Sequence, residues 1–234
     1  MNDMTTGMAP RATSSRTEPR YYYFAFGSNM HLTQMASRCP GSTLVAKGIL
    51  HGYRFQINER GVANVIPSIP GEPSCVEGIL FAVTSGDITT LDRSEGVAQR
   101  FYDKVRLPVQ VEPLAIDALK STKTLFAARE LELLNSSPEQ KQRAEHSQGR
   151  SMKEVEALVY LSSRYDCHGR IRNEYVDRME LAMADAQKLG VRQSYLEASL
   201  YPVVFVESGR PELGMLDIIV RRLKQATDAL RVRR

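Results

Sequence analysis

The chain has 234 residues, 42% hydrophobic and 25% charged, with a net charge of +4 from 31 basic and 27 acidic residues. That length suits one domain with an insertion and is enough to bury a sizeable core, and the composition is ordinary for a soluble globular protein. Three cysteines (Cys39, Cys75 and Cys167) are odd in number and widely spaced, which excludes a complete disulfide framework, suits a reducing compartment and so points to the cytoplasm, and no run approaches the roughly 18 apolar residues of a membrane helix.

The first residues carry Ser, Thr and Arg (Arg11, Arg16 and Arg20) but no apolar core, so they are not a secretory signal. Residues 1–19 read as a disordered tail and 20–234 as a single domain. Tyr21-Tyr22-Tyr23-Phe24-Ala25-Phe26 predicts a buried strand that stops at Gly27-Ser28-Asn29. A short helix follows from His31 to Arg38 and ends before Cys39-Pro40. Strands are expected at Thr43–Leu50, Tyr53–Asn58, Val62–Ile66 and Val76–Val83, separated by turns at Gly52, Gly61 and Pro70-Gly71-Glu72-Pro73. Dense short strands with such turns point to a barrel or strongly curved sheet.

Ser85 reads as the N-cap of a short helix with Asp87 in its first turn, ending around Glu95-Gly96. Phe101–Val111 alternates as a strand with Val105, Leu107, Val109 and Val111 on one face, and Pro108 places it at an edge or a bulge. Residues 113–150, rich in Glu, Lys, Gln, Arg and Ala, read as a surface helical insertion with a mobile stretch from Asn135 to Arg150. Val155–Leu161 resumes the sheet. Ile171–Leu189 is an amphipathic helix, with Ile171, Tyr175, Met179, Met183 and Ala186 on one face and Gly190 as its stop. Ser194-Tyr195-Leu196-Glu197 predicts a capping box for a short helix ending before Pro202, and Leu216–Leu230 a last helix. The expected fold is α+β: a β-barrel core with flanking helices and a helical insertion.

Two segments carry candidate chemistry. A strand running into Gly27-Ser28-Asn29 presents backbone N–H groups and two short polar side chains, which suits an anion-binding concavity; it equally fits an ordinary strand-to-helix turn capped by Ser28 or Asn29. In Leu91-Asp92-Arg93-Ser94-Glu95-Gly96-Val97, burial by Leu91 and Val97 would push a carboxyl toward neutrality and suit it to acid/base work; taken alone, Glu95 equally fits an exposed turn. The four histidines lack metal-ligand spacing, and no phosphate-loop or dinucleotide motif occurs, so no metal and no cofactor are expected. Cys39 and Cys75 lack any mark of an activated nucleophile. The basic C-terminus (Arg221, Arg222, Lys224, Arg231, Arg233 and Arg234) comes without an aromatic stacking motif and reads as a solvated helix face, not a nucleic-acid site.

Taken together, Phe-Ala-Phe-Gly-Ser-Asn-Met at 24–30, Gly61–Pro67, Glu77-Gly78-Ile79-Leu80-Phe81, and Leu91–Val97 with Tyr102 resemble the γ-glutamylcyclotransferase family. The resemblance runs from Tyr21 to Val111 and resumes at Val155–Tyr160 and Tyr175–Leu196. It implies a γ-glutamylcyclotransferase-like barrel and an enzyme that cyclises a γ-glutamyl group to 5-oxoproline and releases an amine. Glu95 then corresponds to the catalytic glutamate, and Tyr23, Phe24, Ala25, Phe26, Gly27, Ser28 and Asn29 to the substrate-binding loop. Tyr102, seven residues after Glu95, and Tyr160 and Tyr175 correspond to pocket tyrosines, although core packing accounts equally for Tyr160 and Tyr175. The family pattern has Tyr before Gly-Ser-Asn; here Phe26 stands there, without a hydroxyl. The implied partner is a small-molecule γ-glutamyl substrate, with no nucleic acid and no membrane, and a homodimer is left open. Rival readings keep the chemistry but act on a glutathione conjugate, or reuse the pocket for binding without catalysis.

Overall fold

The computed structural model of the protein describes residues 20–115 and 153–209. The tail over 1–19, the insertion beyond residue 115 and the helix expected over 216–230 lie outside the described residues. Five strands close into a barrel in the order β1 (Tyr21–Ala25), β5 (Cys75–Val83), β2 (Thr43–His51), β6 (Asp103–Glu112) and β7 (Glu154–Leu161). Neighbours are antiparallel except where β1 meets β7 in parallel and completes the ring. A separate hairpin, β3 (Tyr53–Ile57) and β4 (Ala63–Pro67), stands beside it. The helices are α1 (Leu32–Arg38), α2 (Ser85–Ser94) and α3 (Asn173–Lys188).

The barrel forms because its strands alternate in a closed ring with little room inside. Phe24 is fully buried and points inward, where it reaches two strands that are not both its neighbours. A Cβ on Gly48 would sit 2.8 Å from Val109 of β6 and 3.0 Å from the Phe24 ring; a Cβ on Gly78 would sit 2.9 Å from that ring and 2.2 Å from the Ala25 carbonyl. The two glycines are therefore the space into which the Phe24 ring fits. With Phe24 inward, Tyr23 faces the outside of the barrel, against Phe81 of β5 and Tyr160 of β7. The register that pairs Tyr23 with Phe81 fixes this division, since a slip by one residue would exchange the two faces.

Most sequence expectations for the elements hold, with two differences. Thr84, not Ser85, caps α2: its hydroxyl accepts from the Asp87 N–H (3.2 Å) and the Asp87 carboxylate accepts from the Thr84 N–H (3.0 Å), a reciprocal capping box. No capping box forms at Ser194, because the preceding Arg192 occupies the cap with no side-chain bond and Ser194 lies inside the turn. The chain there stays helical past Pro202, through Gln193–Tyr195, Leu196–Leu200 and the wide-turned Pro202–Val206. Pro108 is compatible with the barrel because β6 pairs with β2 only from Gln110 to Glu112, so at Pro108 the strand has β7 alone as partner.

Phe24→Ala is expected to cost about 3–5 kcal/mol, since it empties the barrel interior. Chemical denaturation checks this, and a loss below about 1 kcal/mol would show that the barrel does not depend on the ring.

Candidate active site

The site lies on the outer face of the barrel, at the end of β1, and is built by four parts of the chain that are far apart in sequence. β1 ends at Ala25 and the chain turns tightly through Gly27 into the single turn Ser28–Met30. A Cβ on Gly27 would stand 2.9 Å from the Ala63 Cβ and 3.0 Å from the Tyr175 hydroxyl oxygen, so this approach admits glycine alone. The Ser28 N–H faces the Tyr175 hydroxyl at 3.4 Å.

Asn29 is buried and its amide is fully used. Its Nδ2 donates to the Tyr23 hydroxyl (2.8 Å) and to the Glu95 carboxylate (3.1 Å). Its Oδ1 accepts from Gln34 Nε2 (2.8 Å) and from Arg38 (2.8 Å). Because Arg38 can only donate, the orientation of the amide is dictated: oxygen toward Arg38, nitrogen toward Glu95. Gln34 and Arg38 sit four apart on one face of α1, which is why both reach it. Gln34 also donates to Ser28 Oγ (3.1 Å) and accepts from Arg178 Nε (3.1 Å), and Arg178 donates to Ser28 Oγ at 2.7 Å. Arg178 lies three residues after Tyr175 on α3, with its guanidinium 5.0 Å from that ring.

Glu95 caps the C-terminal end of α2, its N–H bonded to the Leu91 carbonyl at 2.8 Å. Gly96 follows in the left-handed region (φ 64°), where a Cβ would meet the Phe101 ring at 2.5 Å. That turn ends α2 and leaves the Glu95 side chain directed into the pocket. Burial pushes the Glu95 carboxyl above the ordinary carboxylate range; the Arg38 guanidinium, the Asn29 amide, Arg178 and Arg60 act in the opposite sense, in that order. Burial is also the main reason that Tyr23, Tyr102 and Tyr175 are raised above the usual phenol range, so all three are neutral hydrogen-bond donors at physiological pH.

The structure brings most of the residues proposed from sequence to one cavity of about 140 Å³: Tyr23, Phe26, Gly27, Ser28 and Asn29 from the first segment, then Glu95, Tyr102, Tyr160 and Tyr175. Phe24 and Ala25 do not line it; Phe24 turns into the barrel as alternation requires. The tyrosines are not equivalent. Tyr102 donates to the Ala63 carbonyl (2.5 Å) and Tyr160 to Asp92 (2.7 Å), whose other oxygen holds Lys104 at 2.7 Å. Their rings shape the wall while their hydroxyls are spent on the scaffold. The hydroxyl protons of Tyr23 and Tyr175 have no acceptor among the described residues and remain available to a ligand.

Sequence reasoning missed three lining arginines: Arg38, Arg60 and Arg178. None is ion-paired with a carboxylate among the described residues, so the pocket holds three cations against one titrating acid. Helical spacing could have flagged Gln34 with Arg38 and Tyr175 with Arg178; Arg60, in a turn, carried no signal. Among the described residues, no group of three or more His, Cys, Asp or Glu side chains could hold a metal ion, and no helix is long and apolar enough to cross a membrane.

The family model described as Gamma-glutamyl cyclotransferase, AIG2-like matches residues 23–177, and the chain belongs to that family. A search of curated proteins found no match. Solved structures with the same fold include one described as Gamma-glutamyl cyclotransferase (18% identity, TM-score 0.53) and an uncharacterized protein from Homo sapiens (18%, 0.52), each alignment covering 77% of this chain and 88% of the other. YkqA from Bacillus subtilis is similar at 16% identity and a TM-score of 0.50, over 78% of this chain and 54% of that one.

Arg38→Gln removes the strongest influence that holds the Glu95 carboxyl down. Its titration, followed by carboxyl carbon NMR in the purified protein, is expected to move to higher pH than in the wild type. An unchanged or lower midpoint would mean that Arg38 does not act on Glu95.

Proposed function

We propose that this protein cyclises the γ-glutamyl group of a small substrate to 5-oxoproline and releases the attached amine, with Glu95 as the acid and base. The observation that carries this reading is the Glu95 carboxyl, raised by burial and yet fixed by Asn29 at 3.1 Å inside a cavity of small-molecule size. A base of that kind is closer in proton affinity to an ammonium than an exposed carboxylate is, and it can return the proton to a leaving amine.

The sequence of steps needs no outside reactant. The Glu95 carboxylate takes a proton from the substrate's α-ammonium. The freed amine attacks the γ-carbonyl carbon; a C–N bond forms and the carbonyl electron pair moves to oxygen. The tetrahedral intermediate collapses, the bond to the leaving nitrogen breaks as that nitrogen takes the proton from Glu95, and the carboxylate then passes the second proton from the ring nitrogen to the freed amine, which leaves a neutral lactam and an ammonium. The carboxylate is restored and nothing is oxidised or reduced. The Tyr23 and Tyr175 hydroxyls and the Gly27–Asn29 backbone N–H groups are the donors for the developing oxyanion. Arg178 and Arg38, on the loop side, attract the α-carboxylate. The nucleophile and the carbonyl belong to one molecule, so folding the substrate into its bent conformer supplies most of the catalysis; oriented intramolecular reactions reach effective molarities of about 10⁵ M or more. Phe26 lines the pocket without a hydroxyl, and the Tyr175 hydroxyl accepts from the Ser28 N–H at 3.4 Å. We place the enzyme in the cytoplasm, consistent with three free cysteine thiols.

Glu95→Gln is expected to lower turnover by about 10²- to 10⁴-fold while leaving the melting temperature close to that of the wild type. Chromatographic detection of 5-oxoproline from a panel of γ-glutamyl compounds measures this, and near-normal release by the variant would reject Glu95. The pH profile follows from the same residue. The base must be ionised in the free enzyme, and its pKa is raised above the ordinary 4.5, so kcat/KM is expected to fall on the acid side with an inflection above that value. A profile flat down to the ordinary carboxylate range would contradict the assignment.

A further inference from the structure

Arg60 differs from the other two pocket arginines in what it touches. Arg38 gives one guanidinium donor to Asn29 Oδ1, and Arg178 gives two, to Ser28 Oγ and Gln34 Oε1. The guanidinium of Arg60 has no hydrogen-bond acceptor among the described residues. Its guanidinium carbon lies over the Phe101 ring, 3.7 Å from the centroid, and 5.3 Å from the Tyr165 ring centroid. Stacking holds a guanidinium plane and leaves its in-plane N–H fork open, the geometry that receives a carboxylate through two parallel hydrogen bonds. Its backbone is equally fixed. The Arg60 N–H donates to Asn58 Oδ1 (3.1 Å), Gly61 follows at φ 76°, and the Gly61 carbonyl accepts from the Arg172 N–H at 3.1 Å. A Cβ on Gly61 would meet the Arg172 side chain at 2.6 Å and the Arg170 carbonyl at 2.9 Å, so the turn packs closely on this segment.

Its position is also distinct. Arg38 and Arg178 come from α1 and α3, on the side of the Gly27–Asn29 loop. Arg60 comes from the β3–β4 turn and packs on Phe101, beyond Glu95. Of the three it perturbs the Glu95 carboxyl least. We propose that Arg60 is a specificity residue that binds a carboxylate on the departing amine, so that the favoured substrates are γ-glutamyl-α-amino acids and γ-glutamyl peptides and not uncharged γ-glutamyl amines. This rests on the cyclisation reading above. It accounts for a third pocket cation that the γ-glutamyl group, with its single α-carboxylate, does not require.

The test compares γ-glutamyl-alanine with γ-glutamyl-alaninamide, which differ only in the leaving group's carboxylate, in the wild type, Arg60→Gln and Arg60→Lys. The wild type is expected to favour the acid over the amide by about 10- to 100-fold in kcat/KM, the range of a charge-assisted hydrogen bond. In Arg60→Gln that ratio is expected to fall by about 10-fold or more, mainly through KM for the acid. Arg60→Lys, which keeps the charge but loses the fork, is expected to fall between the two and to show that the pocket still folds. Three results would overturn the proposal: a wild type that does not discriminate, a ratio unchanged in Arg60→Gln, or an equal loss on both substrates, which would place Arg60 on the shared γ-glutamyl half. Release of 5-oxoproline from neither substrate by the wild type would instead overturn the cyclisation reading, and this assignment with it.

Discussion

The side-chain amide of Asn29 ties β1, α1 and the turn after α2 together at the pocket. Its two donors reach Tyr23 on β1 and Glu95 after α2, and its acceptor holds Gln34 and Arg38 on α1. A buried amide with all four positions used has its desolvation offset by hydrogen bonds and has one orientation, whereas loss of any partner would leave an unpaired polar atom away from water. The carboxylate that does the proposed chemistry is thus set by the barrel strand and by α1 at once. Gly27 is the necessary companion of this arrangement, because only a residue without Cβ lets the loop descend between Ala63 and Tyr175.

This arrangement explains why the barrel matters to a pocket outside it. Tyr23 and Phe24 are adjacent, so packing of Phe24 against Gly48 and Gly78 decides that the Tyr23 hydroxyl meets Asn29. The barrel acts as a jig whose filled interior fixes the outward register of β1. The same alternation on β7 directs Tyr160 outward, where its ring meets Tyr23 edge-on at 5.8 Å and its hydroxyl is taken by Asp92. Asp92 in turn lies on α2, three residues before Glu95, so the ring wall and the carboxylate are held by one helix.

The strands, the three longer helices and the Gly27-Ser28-Asn29 turn were legible in sequence, because period and turn residues are local. So was Glu95, through its setting before Gly96 and its distance from Tyr102, although its burial was not: that comes from parts of the chain over 60 residues away, as the bond to Asn29 shows. Inclusion of Phe24 and Ala25 among the loop residues treated a strand as if all its side chains faced one way. The arginines were invisible for a different reason. They are three of 31 basic residues, and nothing in their neighbours shows that a guanidinium will stay without a carboxylate partner. The cap of α2 was misplaced by one residue because Thr84 and Ser85 are both good caps and the choice depends on which of them lies three before Asp87.

The electrostatics of the pocket balance two demands that pull apart. Acid/base exchange with an amine favours a carboxyl of raised proton affinity, which burial provides. Binding an anionic substrate favours cations, which lower that affinity. The structure separates these demands in space. Arg38, the arginine that acts most on Glu95, is tied to Asn29 and so stabilises the ionised form at a fixed geometry, while Arg178 is drawn toward Ser28 and Gln34. Arg60, which acts least, has no acceptor for its guanidinium donors among the described residues. On the proposed reading, positive charge is thus offered to the substrate where it acts least on Glu95, and the net result still leaves that carboxyl above its ordinary range. A pocket with the same three charges clustered at the carboxylate would bind anions as well but would hold Glu95 ionised too firmly to pass a proton on.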